Sequence, residues 1–247
     1  MKKIFDWQVA LGVVLIALST IVYYIHYLIF HDVEHIFKYL ISDIAFVFIE
    51  VLLVTLVIHR VLAVREKKSL LNKLNMVIGA FYSEVGNKLM KLFSAFDPCS
   101  CDIAKELVIR KDWPDKQFDD VRKNVAFYTC PIECKAGDLP AVRELLIGKR
   151  DFLLRLLENP NLLEHEAFTD LLWAVFHLTE ELENRADLKD LTKTDYEHIA
   201  GDIRRAYTIL IAEWLAYMKH LKGNYPYLFS LAIRTNPFDP SASVTVK

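Results

Sequence analysis

The chain has 247 residues with 30 basic and 32 acidic side chains, a net charge of −2, and 53% hydrophobic content. That balance leaves no concentrated positive footprint, which sets aside nucleic-acid binding. Only 7 glycines and 8 prolines occur, which suits long helices and leaves little material for a phosphate-cradling loop.

The apolar excess is concentrated in two early runs, Val9–Phe30 and Leu40–Leu62. Each is long enough to cross a bilayer as a helix, which takes about 20 residues. Met1-Lys2-Lys3 ahead of the first run has the look of a signal peptide. The run is longer than a cleavable core, however, and no small-x-small cleavage site follows it, so it reads as a retained anchor. Lys2 and Lys3 flank the first run, and Arg60, Arg65, Lys67 and Lys68 follow the second. Positive residues stay inside. Both termini are therefore predicted to be cytoplasmic, with the loop His31–Tyr39 facing outward. The expected location is the cell inner (plasma) membrane, as a multi-pass protein in contact with membrane lipids.

Beyond the second run, Leu70, Leu71, Leu74, Val77, Ile78, Phe81, Val85, Leu89, Leu92, Phe93 and Phe96 recur at steps of three and four. That spacing predicts an amphipathic helix continuing the second run and stopping at Asp97-Pro98. The stretch Cys99–Gly137 is less regular, with short helices predicted near Asp102–Lys111 and Asp115–Tyr128. Asp138 is placed to cap a helix running to about Glu158. Asn161 with Glu164 predicts the start of a helix to about Asn184. Thr194-Asp195-Tyr196-Glu197 has the form of a capping box, starting a helix that stops at Gly223. Tyr225–Arg234 is predicted as a last short helix.

The predicted fold is all-α: a two-helix transmembrane hairpin followed by a cytoplasmic helical bundle. The hairpin takes residues 1–68, with spans at about 9–30 and 40–62. The bundle takes 69–235 with a cysteine-containing irregular segment at 97–137, and 236–247 is expected to be a flexible tail.

Several constellations could carry chemistry. Asp43 and Glu50 lie seven apart on the second span, and His59 falls near the Glu50 side, making a polar stripe. A carboxylate at the bilayer centre costs at least ~2.5 kcal/mol unless protonated or partnered. Ser19, Thr20 and Tyr23 on the first span are candidate partners. The stripe points to helix association in a homo-oligomer or with another subunit of a membrane complex, or else to a proton or ion path. Four cysteines form two close pairs, Cys99/Cys101 and Cys130/Cys134. Four thiolates can hold zinc or an iron–sulfur cluster, though a C-x-C pair is tight for that geometry. His31, Asp32 and His35 make a weaker metal candidate by one-turn spacing.

On the bundle, Glu166, Asp170, His177, Glu180 and Glu181 share a side, and Asp195, His198 and Asp202 share another. Histidines with carboxylates suggest a di-metal bundle, but no Glu-x-x-His occurs, and the expectation is a solvated surface. Glu213, inside an apolar stretch, is expected to pair with Arg204, Arg205, Arg143, Arg150 or Arg155. No nucleotide, zinc-protease or nucleophile-elbow motif is present. The sequence therefore predicts a membrane-anchored structural or regulatory protein rather than an enzyme. It would dock partners through its bundle and self-associate through its polar membrane face; the alternatives are an oligomeric proton- or ion-conducting protein gated by the cytoplasmic domain, and a membrane-tethered metal-binding or redox protein using the four cysteines.

Overall fold

A computed structural model describes residues 2–128, 131–160, 162 and 165–245. Among these residues every long element is helical. They are α1 (Lys2–Phe30), α2 (Val33–Phe81), a π-helical turn (Tyr82–Gly86), α3 (Asn87–Ser94), α4 (Ser100–Leu107), α5 (Asp115–Phe127), α6 (Leu139–Gly148), α7 (Arg150–Leu157), α8 (Glu166–Glu183), α9 (Lys193–Asn224) and α10 (Pro226–Arg234). The chain divides into two units, Met1–Lys67 and Lys68–Lys247.

In the first unit, two helices are long and apolar enough to cross a membrane, and no residue of their apolar windows is buried within the chain. The link between them is shorter than the sequence suggests. The outward loop was expected over His31–Tyr39, but α2 already begins at Val33. The Asp32 carboxylate accepts from the His35 amide at 2.9 Å, satisfying a free donor at the helix start. His31 takes φ +52° to make the turn, a left-handed conformation that costs a non-glycine residue energy.

The second unit is built around α9, which packs against α5, α8, α10 and α3. Its apolar positions repeat at helical spacing, and Ile199, Ile203, Ala206, Tyr207, Leu210, Ile211, Trp214, Leu215, Met218 and Leu221 are all buried. That stripe is wide because α9 is covered on more than one side. One cover comes from the segment expected to be irregular: α5 sets Phe118, Val121 and Val125 into the core. α5 runs antiparallel to α9, since Asp119 meets Lys219 while Arg122 meets Glu213. α8 contributes Phe168, Leu171, Leu172, Val175 and Leu182 from the other side. From the long amphipathic segment, Leu74, Ile78, Phe81, Val85, Leu89, Phe93 and Phe96 are buried.

The helix ends differ from expectation in instructive ways. Asp138 does cap α6, accepting from the Ala141 amide at 2.9 Å. The helix then breaks at Lys149 and restarts as α7. Asn161 and Glu164 lie outside the described residues, and α8 starts at Glu166 behind a different cap, His165, whose Nδ1 accepts from the Phe168 amide at 3.2 Å. α9 is capped by Thr192, not Thr194: its hydroxyl accepts from the Asp195 amide at 3.2 Å. The π turn at Tyr82–Gly86 was not foreseen. It brings the Tyr82 hydroxyl to the Leu210 carbonyl at 2.9 Å, while the Tyr82 ring lies so close to Gly86 that a Cβ there would sit 2.5 Å from it.

The segment after α10 is not uniformly loose. Asn236 is buried; its amide donates to the Leu107 carbonyl at 2.8 Å, and its Oδ1 accepts from Phe238 N at 2.9 Å. The buried Phe238 ring meets Trp214 edge-on at 5.5 Å. Arginine-to-carbonyl contact between Arg234 and Val244 holds the segment further along.

Candidate metal centre

The polar faces of α8 and α9 meet along one edge of the bundle. His177 pairs with Asp202 and Glu181 with His198, so the two helices run antiparallel there. On each helix the histidine and the carboxylate are one turn apart, His177 with Glu181 and His198 with Asp202. Antiparallel packing of two such i, i+4 pairs sets imidazole opposite carboxylate twice.

The ligand atoms converge. Asp202 Oδ2 lies 3.6 Å from His177 Nε2 and 3.5 Å from His198 Nε2. Glu181 approaches the same two nitrogens, at 3.9 Å through Oε1 and 3.6 Å through Oε2. One ligand atom each from His177, His198 and Asp202 lies within 4.8 Å of the others, and among the described residues this is the one such group. It is capable of coordinating a metal ion.

Two arginines hold the carboxylates from outside. Arg205 donates to Asp202 Oδ1 at 3.2 Å. Arg185 donates to Glu181 Oε2 at 2.5 Å and to Asp195 Oδ1 at 2.7 Å. The hydrogen bond from Arg185 pulls the Glu181 carboxyl below its usual range, and the same guanidinium does so for Asp195. Asp202 is only 4% exposed, whereas His177 and His198 are 44% and 53% exposed. The expectation of a solvated surface therefore fails at Asp202. Its neighbours Ala200 and Ile203 are core residues, and the carboxylate sits at the boundary between core and groove.

A second polar site lies where α5 faces α9. Glu213 is buried and takes Arg122 Nη2 at 2.5 Å, not any of the five arginines that its surroundings in sequence suggested. Arg122 sits on α5, the short helix expected near Asp115–Tyr128, which lies outside the long bundle helices among whose arginines a partner was sought. His165 Nδ1 is occupied by its helix cap, so a neutral ring carries its proton on Nε2, which faces Glu213 Oε2 at 3.9 Å. Burial, with Glu213 nearby, holds the Tyr82 hydroxyl well above its usual range.

Among the described residues the other candidates form no such group. Cys99 is a free exposed thiol and Cys134 a free buried one. The Cys134 thiol donates to the Tyr196 carbonyl at 3.4 Å, and burial pushes its pKa up to about 11. Cys130 and the Cys101 side chain lie outside the described residues. Asp32 is engaged at the start of α2, and the His35 ring stacks on His26 with centroids 6.1 Å apart. Asp43, Glu50 and His59 all lie exposed on α2. Of their suggested partners, the Thr20 hydroxyl donates to its own helix, to the Ile16 carbonyl at 2.9 Å.

Comparison with known proteins places the whole chain. Residues 2–62 match the family description "MJ1433, N-terminal helical domain". The uncharacterized protein MJ1433 of Methanocaldococcus jannaschii is 48% identical over 233 residues, covering 94% of each chain. No solved structure matches. Because residues 70–234 match "Uncharacterized protein MJ1433, C-terminal helical domain", and because that relative spans nearly the full length, the chain belongs to the MJ1433 family.

Proposed function

We propose that this chain is a two-span membrane anchor carrying a cytoplasmic helical domain, and that it serves as a structural or regulatory partner of a membrane assembly. The observation that carries the reading is the uncovered apolar surface of α1 and the first half of α2. Side chains such as Ile16, Ile29, Phe48 and Val57 stand more than half exposed within the chain. Exposed apolar area of this extent needs lipid or protein around it. The cluster Arg60, Arg65, Lys67 and Lys68 supports a cytoplasmic position for the helical domain.

The polar stripe Asp43, Glu50, His59 supports self-association or pairing with another subunit, because a bilayer-facing carboxylate is costly unless it finds a donor. The alternative use of the same stripe is proton or ion conduction through an oligomer. Glu50→Gln separates the two. Association through Glu50 predicts that the variant loses oligomers in detergent and in lipid. Conduction predicts intact oligomers with altered flux in liposomes. A monomeric wild-type protein would overturn self-association and conduction and leave pairing with another subunit, and protease access to the helical domain in sealed inside-out vesicles tests the topology.

A further inference from the structure

We propose that His177, His198 and Asp202 bind one borderline divalent cation, of the Zn²⁺ or Fe²⁺ type, and that the ion ties α8 to α9. The strongest sign is Asp202. Its side chain is 4% exposed, yet Oδ2 is buried with no hydrogen-bond partner and is aimed at two imidazole nitrogens. A buried acceptor left in that state is costly. The nitrogens do not relieve it, because 3.5 and 3.6 Å are beyond N–H···O hydrogen-bonding range.

Those distances do fit a different object. In a tetrahedral site with bonds of about 2.0–2.2 Å, neighbouring ligand atoms stand roughly 3.3–3.6 Å apart. The separations from Asp202 Oδ2 to the two Nε2 atoms are close to such tetrahedron edges. Two imidazoles with a carboxylate select a borderline ion over calcium or magnesium, which prefer all-oxygen shells.

The surroundings suit the role. Arg205 fixes Asp202 through its other oxygen, so that carboxylate is oriented before an ion arrives, while Glu181, held by Arg185, stands beside the histidines as a neighbour. The half-exposed histidines leave a path from solvent. Bound there, the ion would take one ligand from α8 and two from α9 and so cross-link the two helices.

Trp173, one turn before His177 on α8 and 56% exposed, offers a built-in probe. The full chain, purified in detergent and stripped with a chelator, is titrated with Co²⁺ while visible ligand-field absorption and tryptophan emission are followed. The expected result is one Co²⁺ per chain, displaced by Zn²⁺, with quenching that Trp173→Phe reduces. His177→Ala and His198→Ala should each weaken binding at least tenfold with unchanged far-UV circular dichroism, since both side chains are outside the core. Failure to bind saturably would overturn the proposal. So would binding unmoved in the double histidine variant, or a sulfur-to-metal charge-transfer band, which would put the ion on the cysteines.

Discussion

Arg122 and Glu213 meet at 2.5 Å across 91 residues of sequence, one end of the pair exposed and the other buried. The pair holds α5 against α9 where the core below supplies Tyr82 and Phe118. Removing Arg122 leaves a buried carboxylate with His165 Nε2 at 3.9 Å as its remaining basic neighbour among the contacts seen. Arg122→Ala is expected to cost about 2–3 kcal/mol. Adding Glu213→Gln should recover part of that loss, because the uncompensated charge goes with it. A double-mutant cycle by chemical denaturation measures the coupling.

The π turn has a single steric requirement. Gly86→Ala puts a Cβ 2.5 Å from the Tyr82 ring, so the ring or the helix must shift. The expected cost is about 1–3 kcal/mol, the range for an overpacked core. Tyr82→Phe in the same background should do little to relieve it, since the ring stays. A melting temperature unchanged by Gly86→Ala would mean that the turn relaxes freely.

Cys134 should behave as an inert thiol. With its pKa pushed up to about 11 by burial, the thiolate fraction at pH 8 is on the order of 10⁻³, against roughly a quarter for a free cysteine. A variant retaining only Cys134 is expected to react with a thiol reagent at least 100-fold more slowly when folded than in denaturant. Rapid modification of the folded protein would show that the thiol opens to solvent.

Acid should weaken the second unit in two stages. Burial holds the His220 imidazole below its ordinary value, so as pH falls below about 6.5 the unfolded chain takes up a proton before the folded one does. The stability tied to keeping this ring neutral is present above that pH and is lost as pH falls to the folded value. Lys149 holds Glu84 below the carboxylate range, Lys219 does the same to Asp119, and Arg185 to Asp195. Their contributions are present above about pH 4 and vanish as pH falls through the folded values. Thermal melts of the bundle at descending pH should show the first loss abolished in a neutral replacement, His220→Gln.

Saturation with Zn²⁺ should raise the melting temperature if the α8–α9 site fills. At 100 times the dissociation constant, the gain is about 2.7 kcal/mol. His198→Ala should remove the shift and leave the metal-free melting point nearly unchanged.

Much of the architecture was legible because burial follows periodicity. The apolar positions that recur at helical spacing along α9, from Ile199 to Leu221, are in the core. The features that the sequence hid have local causes. Thr192 and Thr194 are both suitable caps by residue type, and the choice depends on backbone geometry that spacing does not encode. The break at Lys149 has only Gly148 beside it, and the apolar periodicity runs straight through. Asp202 was visible as an acidic residue on the histidine side, but its burial depends on how α8 lies across it. The ligand pairs His177/Glu181 and His198/Asp202 are each a local pattern; their meeting is a product of tertiary packing. The helix carrying Arg122 was expected near Asp115–Tyr128 and is found at Asp115–Phe127; what the sequence did not show is that it packs against α9 and brings Arg122 to Glu213.

Phe238 and Asn236 finish a core that opens with Leu74. A ribosome translating this chain therefore delivers both apolar helices long before the bundle has its last packing residues. Until Phe238 emerges, Trp214 lacks its edge-on neighbour and the Leu107 carbonyl lacks its donor. In order of synthesis, the two apolar helices are therefore complete while the second unit still lacks the last of its core residues.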